Sequence, residues 1–235
     1  MNKALIFLLL LGSGFYGCGQ DLSVSMDYKV VYEIPAPMRN SADTISISFD
    51  TEGKYLYSDA KLLGDDLGRS VFKNPNTDLS PAESSFVLDT KNMEVYFDYS
   101  LNRNSIFFKM DIESLIPADE DPFEGNVEII MEKTEYDVEI AGSSYPSFLL
   151  YPDNEPEEPL TLAIDTSRPV DNSIVLNAFI QLMLRKTDSK GSMSINIPKG
   201  LILGIYTANS IMMEAISVEN VATTINISHQ FTINE

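Results

Sequence analysis

The sequence predicts a mainly β (α+β) protein, a curled antiparallel sheet or half-barrel with one helix covering its concave face. Apolar and polar residues alternate along roughly ten segments, as they do in strands that bury one face. One segment, from Ile174 to Arg185, breaks this alternation, and neither a repeat nor a linker divides the chain. Because twisted sheets with that many strands rarely stay flat, we expect the sheet to curl around the helix.

Strands in the N-terminal half are predicted from alternation and end at turn-forming residues. Pro35 stops the first strand, Gly53 follows the second, and Asp89–Asn92 has the composition of a hairpin turn. The predicted strands are Tyr28–Ile34, Ile45–Phe49, Lys54–Tyr57, Phe86–Leu88, Met93–Tyr99 and Ile106–Ile112.

Alternation resumes in the C-terminal half after an acidic loop, Pro117 to Gly125. The predicted strands there are Val127–Glu132, Tyr136–Ile140, Phe148–Tyr151, Leu162–Ile164, Ile195–Ile197, Leu201–Tyr206, Met212–Val218 and Thr224–Ile233. Between them, Asp171-Asn172-Ser173 offers helix-capping side chains ahead of Ile174 to Arg185. Polar residues recur at every fourth position of this predicted helix and therefore form one narrow stripe along it. The rest of its surface is apolar and must be covered by other parts of the protein.

Composition excludes several classes of protein. The 235 residues include one Cys, one His, 35 acidic and 16 basic residues, which give a formal net charge of −19. Such an acidic chain is not expected to bind nucleic acid, because that affinity comes from Lys and Arg neutralising phosphates. One Cys and one His cannot form an intrachain disulfide or a structural zinc site. We therefore expect no cofactor and no metal.

The first twenty residues have the pattern of a secretory signal peptide. Lys3 precedes an apolar run from Ala4 to Leu11 that is too short to span a bilayer. Cleavage after Gly19 gives a signal at 1–19, whereas lipidation of Cys18, in a partial lipobox, gives a signal at 1–17. In either case residues 20–235 are expected to form a single β-rich domain. The predicted location is the periplasm or the outer membrane, with membrane attachment only through lipidated Cys18.

No catalytic motif accompanies this pattern. His229 lies between Ile227 and Phe231 on an alternating strand, which is more typical of an inward-facing residue than of a catalytic base. The chain contains no G-x-S-x-G sequence, and its acidic loops do not match the spacing of an EF-hand. A hydrolase that uses a pair of carboxylates remains an alternative, because 35 acidic residues make some close pair inevitable.

Three segments resemble a family of exported Bacteroidetes proteins, the GLPGLI-type and related uncharacterised families. The segments are Tyr28–Ile34, Lys133-Thr134-Glu135 with Glu139–Gly142, and Pro198–Gly204 ahead of Met212–Glu214. The sequence departs from the pattern at Ser143 and Ser144, where relatives have Tyr and Cys, and at Ile202, where they have Pro. The resemblance implies the fold of the outer-membrane lipoprotein carrier and receptor proteins (LolA and LolB), whose concave apolar face receives acyl chains.

From these observations we expect a non-enzymatic envelope protein that binds a lipid or acylated peptide beneath the helix. The predicted lining residues are Phe97, Phe108, Phe179, Leu182, Ile225, Ile227 and Phe231. One alternative is a structural or protein-interaction module with a filled core and an envelope protein as partner. Another alternative is a carboxylate-based hydrolase.

Overall fold

The computed structural model describes residues 22–36, 41–60, 83–101, 104–111, 126–154, 156–157, 159–173, 192–195, 197–228 and 231–234. Within them lie thirteen strands. They are Leu22–Ala36 (β1), Ser41–Phe49 (β2), Tyr55–Ser58 (β3), Glu83–Asp89 (β4), Glu94–Leu101 (β5), Asn104–Asp111 (β6), Asn126–Ile140 (β7), Ser143–Pro152 (β8), Leu160–Asp165 (β9), Ser192–Ile195 (β10), Leu201–Tyr206 (β11), Ile211–Ile227 (β12) and Phe231–Asn234 (β13).

All of these strands belong to one open sheet. Their order is β10-β7-β8-β9-β11-β12-β1-β2-β3-β4-β5-β6, and β13 pairs with β12. Among the described pairs, β10 runs parallel to β7 and the others are antiparallel. The predicted mainly β class and the antiparallel sheet are therefore confirmed.

The sheet curls strongly on itself, as the sequence predicts. The Tyr32 hydroxyl of β1 donates a 2.7 Å hydrogen bond to the Ile202 carbonyl of β11, although β12 lies between these strands. Ile140 of β7 packs in one cluster with Val30 of β1, although β8, β9, β11 and β12 separate them in the sheet. Side chains from distant strands thus meet inside the curl.

The predicted covering helix is described only at its start. The Asp171 carboxylate accepts a 3.2 Å hydrogen bond from the Ser173 backbone N–H, which is the geometry of a helix N-cap. Asn172 and Ser173 have helical backbone conformation. The remainder of the predicted helix, residues 174–185, lies outside the described residues, so the cover over the concave face is not shown.

Strand β7 is one continuous strand where the alternation of residues predicted two, Val127–Glu132 and Tyr136–Ile140. Lys133 pairs with Phe148 and Asp137 pairs with Pro146, so three residues of β7 face the single residue Ser147 on β8. The register shifts by two residues across this bulge, so alternation along β7 is preserved and Met131 and Val138 lie on opposite faces. Met131 packs with Phe148 and Ile164, whereas Val138 packs with the cluster of Ile140. The change of phase that reads as two strands in the sequence is therefore a change, within one strand, in the face that β7 buries.

Strand β12 differs from the prediction in a similar way. It runs without a break from Ile211 to Ile227, with irregularities opposite Met26/Tyr28 and Val31/Tyr32 of β1. The predicted continuous strand Thr224–Ile233 is wrong, because β13 folds back and Phe231 pairs with Ile227. Three residues connect β12 to β13, so the odd-numbered residues of both strands lie on the same face. The alternation therefore continues from one strand to the next, and the sequence pattern gives no sign of a turn.

Candidate functional site

Two of the predicted lining residues lie together on the sheet. Phe97 of β5 and Phe108 of β6 pair in register, and their ring centroids are 4.9 Å apart. Phe86 of β4 pairs with Phe97 from the other side. Phe97 is buried, whereas Phe86 and Phe108 are only half-buried. Three aromatic side chains therefore form a row across one face of β4, β5 and β6.

This row belongs to a larger apolar surface, which we call the β4–β6 apolar face. Because side chains alternate along each strand and paired residues share a face, its members follow from the register. They are Phe86, Leu88, Val95, Phe97, Phe108 and Met110. Four of these six side chains retain partial exposure, and Met93 packs beside them. Partly exposed apolar area of this kind is typical of a surface that receives a hydrophobic group.

Two further predicted residues lie in a different cluster. Ile225 and Ile227 are buried with Val24, Met26, Tyr57 and Val87. Val87 follows Phe86 on β4, so it faces the opposite side of the sheet from the β4–β6 apolar face. The predicted set therefore does not line one hollow: Phe97 and Phe108 belong to one face, and the two isoleucines pack against the other.

The other residues singled out in the sequence lie on β13 or outside the described residues. Phe231 begins β13 and pairs with Ile227. Cys18, Phe179, Leu182 and His229 lie outside the described residues.

The curl between β1, β2, β9 and β11 is closely filled. Its buried cluster includes Val30, Tyr32, Ala163, Leu201 and Leu203, each at most 1% exposed. Tyr32 places its hydroxyl on a backbone carbonyl, and burial raises the pKa of this phenol. This part of the concave side is a packed core rather than an open cavity.

A polar cleft opens on the face opposite the β4–β6 apolar face. Its first chamber, of about 450 Å³, is lined by Tyr57, Asp59, Glu83, Ser84, Ser85, Asp98 and Ser100. A second chamber, of about 370 Å³, is lined by Lys29, Ser48, Tyr57, Asp59, Glu219, Val221, Ala222 and Thr223. Because Tyr57 and Asp59 line both chambers, we treat them as one site, the Tyr57 cleft.

Strand register explains why these polar side chains meet. Glu83 pairs with Ser100 and Ser85 pairs with Asp98, so all four share one face of β4 and β5. Tyr57 lies on the neighbouring strand, opposite Val87, where this face changes from apolar to polar. Sequence reasoning missed the cleft because its acidic residues come from β4, β5, β12 and the segment after β3, and form no run along the chain.

Tyr57 is the central residue of the cleft. Burial and, to a lesser extent, the nearby Asp59 carboxylate raise the pKa of its phenol to about 12, while a hydrogen bond with Ser85 opposes the shift. Tyr57 therefore stays neutral at physiological pH, as a hydrogen-bonding group between carboxylates. Within the described part of the chain, no three His, Cys, Asp or Glu side chains are arranged to hold a metal ion.

Comparison with known proteins leaves the family open. No protein-family model matches the chain, and a search of curated proteins finds no significant match. Among the described residues, no helix has both the length and the hydrophobicity needed to cross a membrane. Function is therefore inferred from the geometry of the β4–β6 apolar face and the Tyr57 cleft.

Proposed function

We propose that this is an exported, non-enzymatic protein of the cell envelope that binds a hydrophobic ligand on the β4–β6 apolar face. The partial exposure of Phe86, Leu88, Phe108 and Met110 around buried Phe97 is the observation that carries the proposal. The ligand is a lipid or an acylated peptide, the class that the sequence resemblance to lipoprotein carriers also implies.

Apolar burial alone supplies enough free energy for such a ligand. If an acyl chain loses roughly 200 Å² of accessible area on this face, the gain is about 5 kcal/mol. Part of that gain is offset by the lost freedom of the bound chain. The expected affinity is therefore moderate and needs no charged contact.

The proposal is tested by lipid analysis and a matched pair of variants. We expect mass spectrometry of gently purified protein to find a co-purifying lipid, and a hydrophobic dye to show saturable binding. Phe108→Asp should abolish dye binding, because it places a charge on the apolar face. Ile216→Asp, at a 48% exposed position on β12, is the control and should leave binding intact. Absence of lipid together with non-saturable dye binding would refute the proposal.

The filled curl favours a second candidate, a structural or protein-interaction module. Val30, Leu201 and Leu203 leave no room for a ligand in that part of the concave side. A module of this kind would capture one envelope protein in stoichiometric amount from a detergent extract, while the dye would find no site. That combination of results would favour the module over the ligand-binding protein.

A further inference from the structure

We propose that the Tyr57 cleft is a second, separate binding site, which takes an alkylammonium group such as that of a polyamine or a lysine side chain. This site lies on the opposite face of the sheet from the proposed hydrophobic site. Its two chambers, of about 450 and about 370 Å³, together are large enough for a small extended molecule.

Charge selects the class of ligand. Asp59, Glu83 and Asp98 line the first chamber, and its other described lining residues are uncharged. Lys29 and Glu219 of the second chamber face each other in register across β1 and β12, so their charges offset one another. The cleft as a whole is therefore strongly negative and attracts a cation.

A buried hydroxyl gives independent support for a bound polar group. Ser48 is only 7% exposed and lines the second chamber. No described residue hydrogen-bonds to its hydroxyl, and the oxygen is not fully enclosed by protein, so it is open to the chamber that Ser48 lines. A ligand N–H in the chamber can therefore donate to Ser48 Oγ without displacing a hydrogen bond within the protein.

The arrangement of the carboxylates suits an organic cation better than a metal ion. They come from the residue after β3, the first residue of β4 and the middle of β5, so they are distributed along the chamber. An ammonium group donates three hydrogen bonds and accepts none, which matches a lining of carboxylates and hydroxyls. Tyr57 adds an aromatic ring that a cation can contact.

The test is a nuclear magnetic resonance titration of the full protein with two amines. Spermidine represents a free polyamine, and N-acetyl-lysine methylamide represents a lysine side chain in a peptide. We expect saturable shifts at Ser48, Tyr57 and Asp59 with at least one of them, and the stronger binder identifies the source. The Nε-acetylated form of the lysine compound lacks the charge and should not bind.

Two variants separate the cleft from general attraction to an acidic surface. Asp59→Asn removes an exposed carboxylate shared by both chambers, so the protein should fold and bind the amine about two- to fivefold more weakly. Glu139→Gln removes an exposed carboxylate on β7 and should change nothing. Equal effects of the two variants, shifts spread over the whole surface, or a response to calcium chloride in place of the amines would overturn the proposal.

Discussion

At the scale of single residues, two hydroxyls hold the bend of β7. The Thr134 and Ser147 hydroxyl oxygens each lie 2.7 Å from the Tyr136 carbonyl oxygen and 2.5 Å from each other, so their two protons are shared among these three contacts. Ser147 is fully buried. These bonds satisfy backbone groups that the bulge removes from the ladder between β7 and β8.

Removing one of these hydroxyls should weaken the fold. Ser147→Ala deletes a buried hydroxyl, one of the two that reach the Tyr136 carbonyl, so we expect a loss of about 1–3 kcal/mol in the free energy of unfolding. Ser143→Ala, at an exposed position of the same strand, is the control and should cost less than about 0.5 kcal/mol. Urea denaturation measures both, and equal values would show that the bend does not depend on Ser147.

Gly204 is required because the Tyr206 side chain lies across it. A Cβ at position 204 would overlap the Tyr206 hydroxyl and ring. The Tyr206 hydroxyl bonds the Glu214 carboxylate at 2.8 Å, and burial, together with this carboxylate, raises the pKa of the phenol.

Gly204→Ala should therefore displace Tyr206 and cost about 1–3 kcal/mol in the free energy of unfolding. In a Tyr206→Ala background the overlap is absent, so the same substitution should cost much less. A double-mutant cycle measured by denaturation checks this coupling. Additive effects of the two substitutions would contradict it.

Asp165 should make stability depend on acidity. Burial alone would raise the pKa of this carboxyl, but hydrogen bonds from Ser167 and the ion pair with Arg168 lower it below its ordinary value. The stabilisation is thus fully present above the unfolded-state pKa of about 3.9 and is lost as the pH falls through the lower folded-state pKa.

Asp165→Asn should accordingly lower the free energy of unfolding near neutral pH, and its difference from wild type should shrink between about pH 5 and about pH 2. Asp137→Asn, at an exposed carboxylate, should show a much smaller effect. Denaturant titrations at a series of pH values give both curves. A difference that stays constant with pH would exclude the proposed ionic contribution.

At the scale of elements, the alternation of apolar and polar residues predicted the position of nearly every described strand, but not where one strand ends and the next begins. It separated β7 into two strands at the bulge near Thr134, and it joined β12 to β13 across the turn near Ser228. Both errors have one cause, since residue parity records which face a side chain occupies and not which strand it belongs to. Strand β7 changes the face that it buries partway along its length, whereas the three-residue connection between β12 and β13 preserves parity between two strands.

The end of β7 should contribute strongly to closing the curl. Ile140 is 2% exposed in the cluster with Val30 and Leu203, whereas Tyr136 on the same strand is 57% exposed. Ile140→Ala should cost about 2–5 kcal/mol, and Tyr136→Ala about 0.5 kcal/mol or less. Similar costs for the two substitutions, measured by thermal or urea unfolding, would show that this end of β7 does not support the core.

At the scale of the whole molecule, the sequence analysis grouped Phe97 and Phe108 with Ile225 and Ile227 in one predicted lining, whereas the structure separates the two pairs. Phe97 and Phe108 were predicted from alternation, and pairing brings their rings together. Ile225 and Ile227 carry the same local signal, yet the path of the sheet places them with Val87 on the other face. The Tyr57 cleft has no local signal, because Asp59, Glu83 and Asp98 become neighbours only through strand register.

The central claim, that a hydrophobic ligand occupies the β4–β6 apolar face, is tested most directly with spin-labelled stearate and methyl-labelled protein. We predict that the label broadens the methyl signals of Leu88 and Met110 and leaves those of Val87 and Ile225 sharp, since these pairs lie on opposite faces. Broadening of Val87 and Ile225 instead, or no saturable broadening at all, would contradict the account.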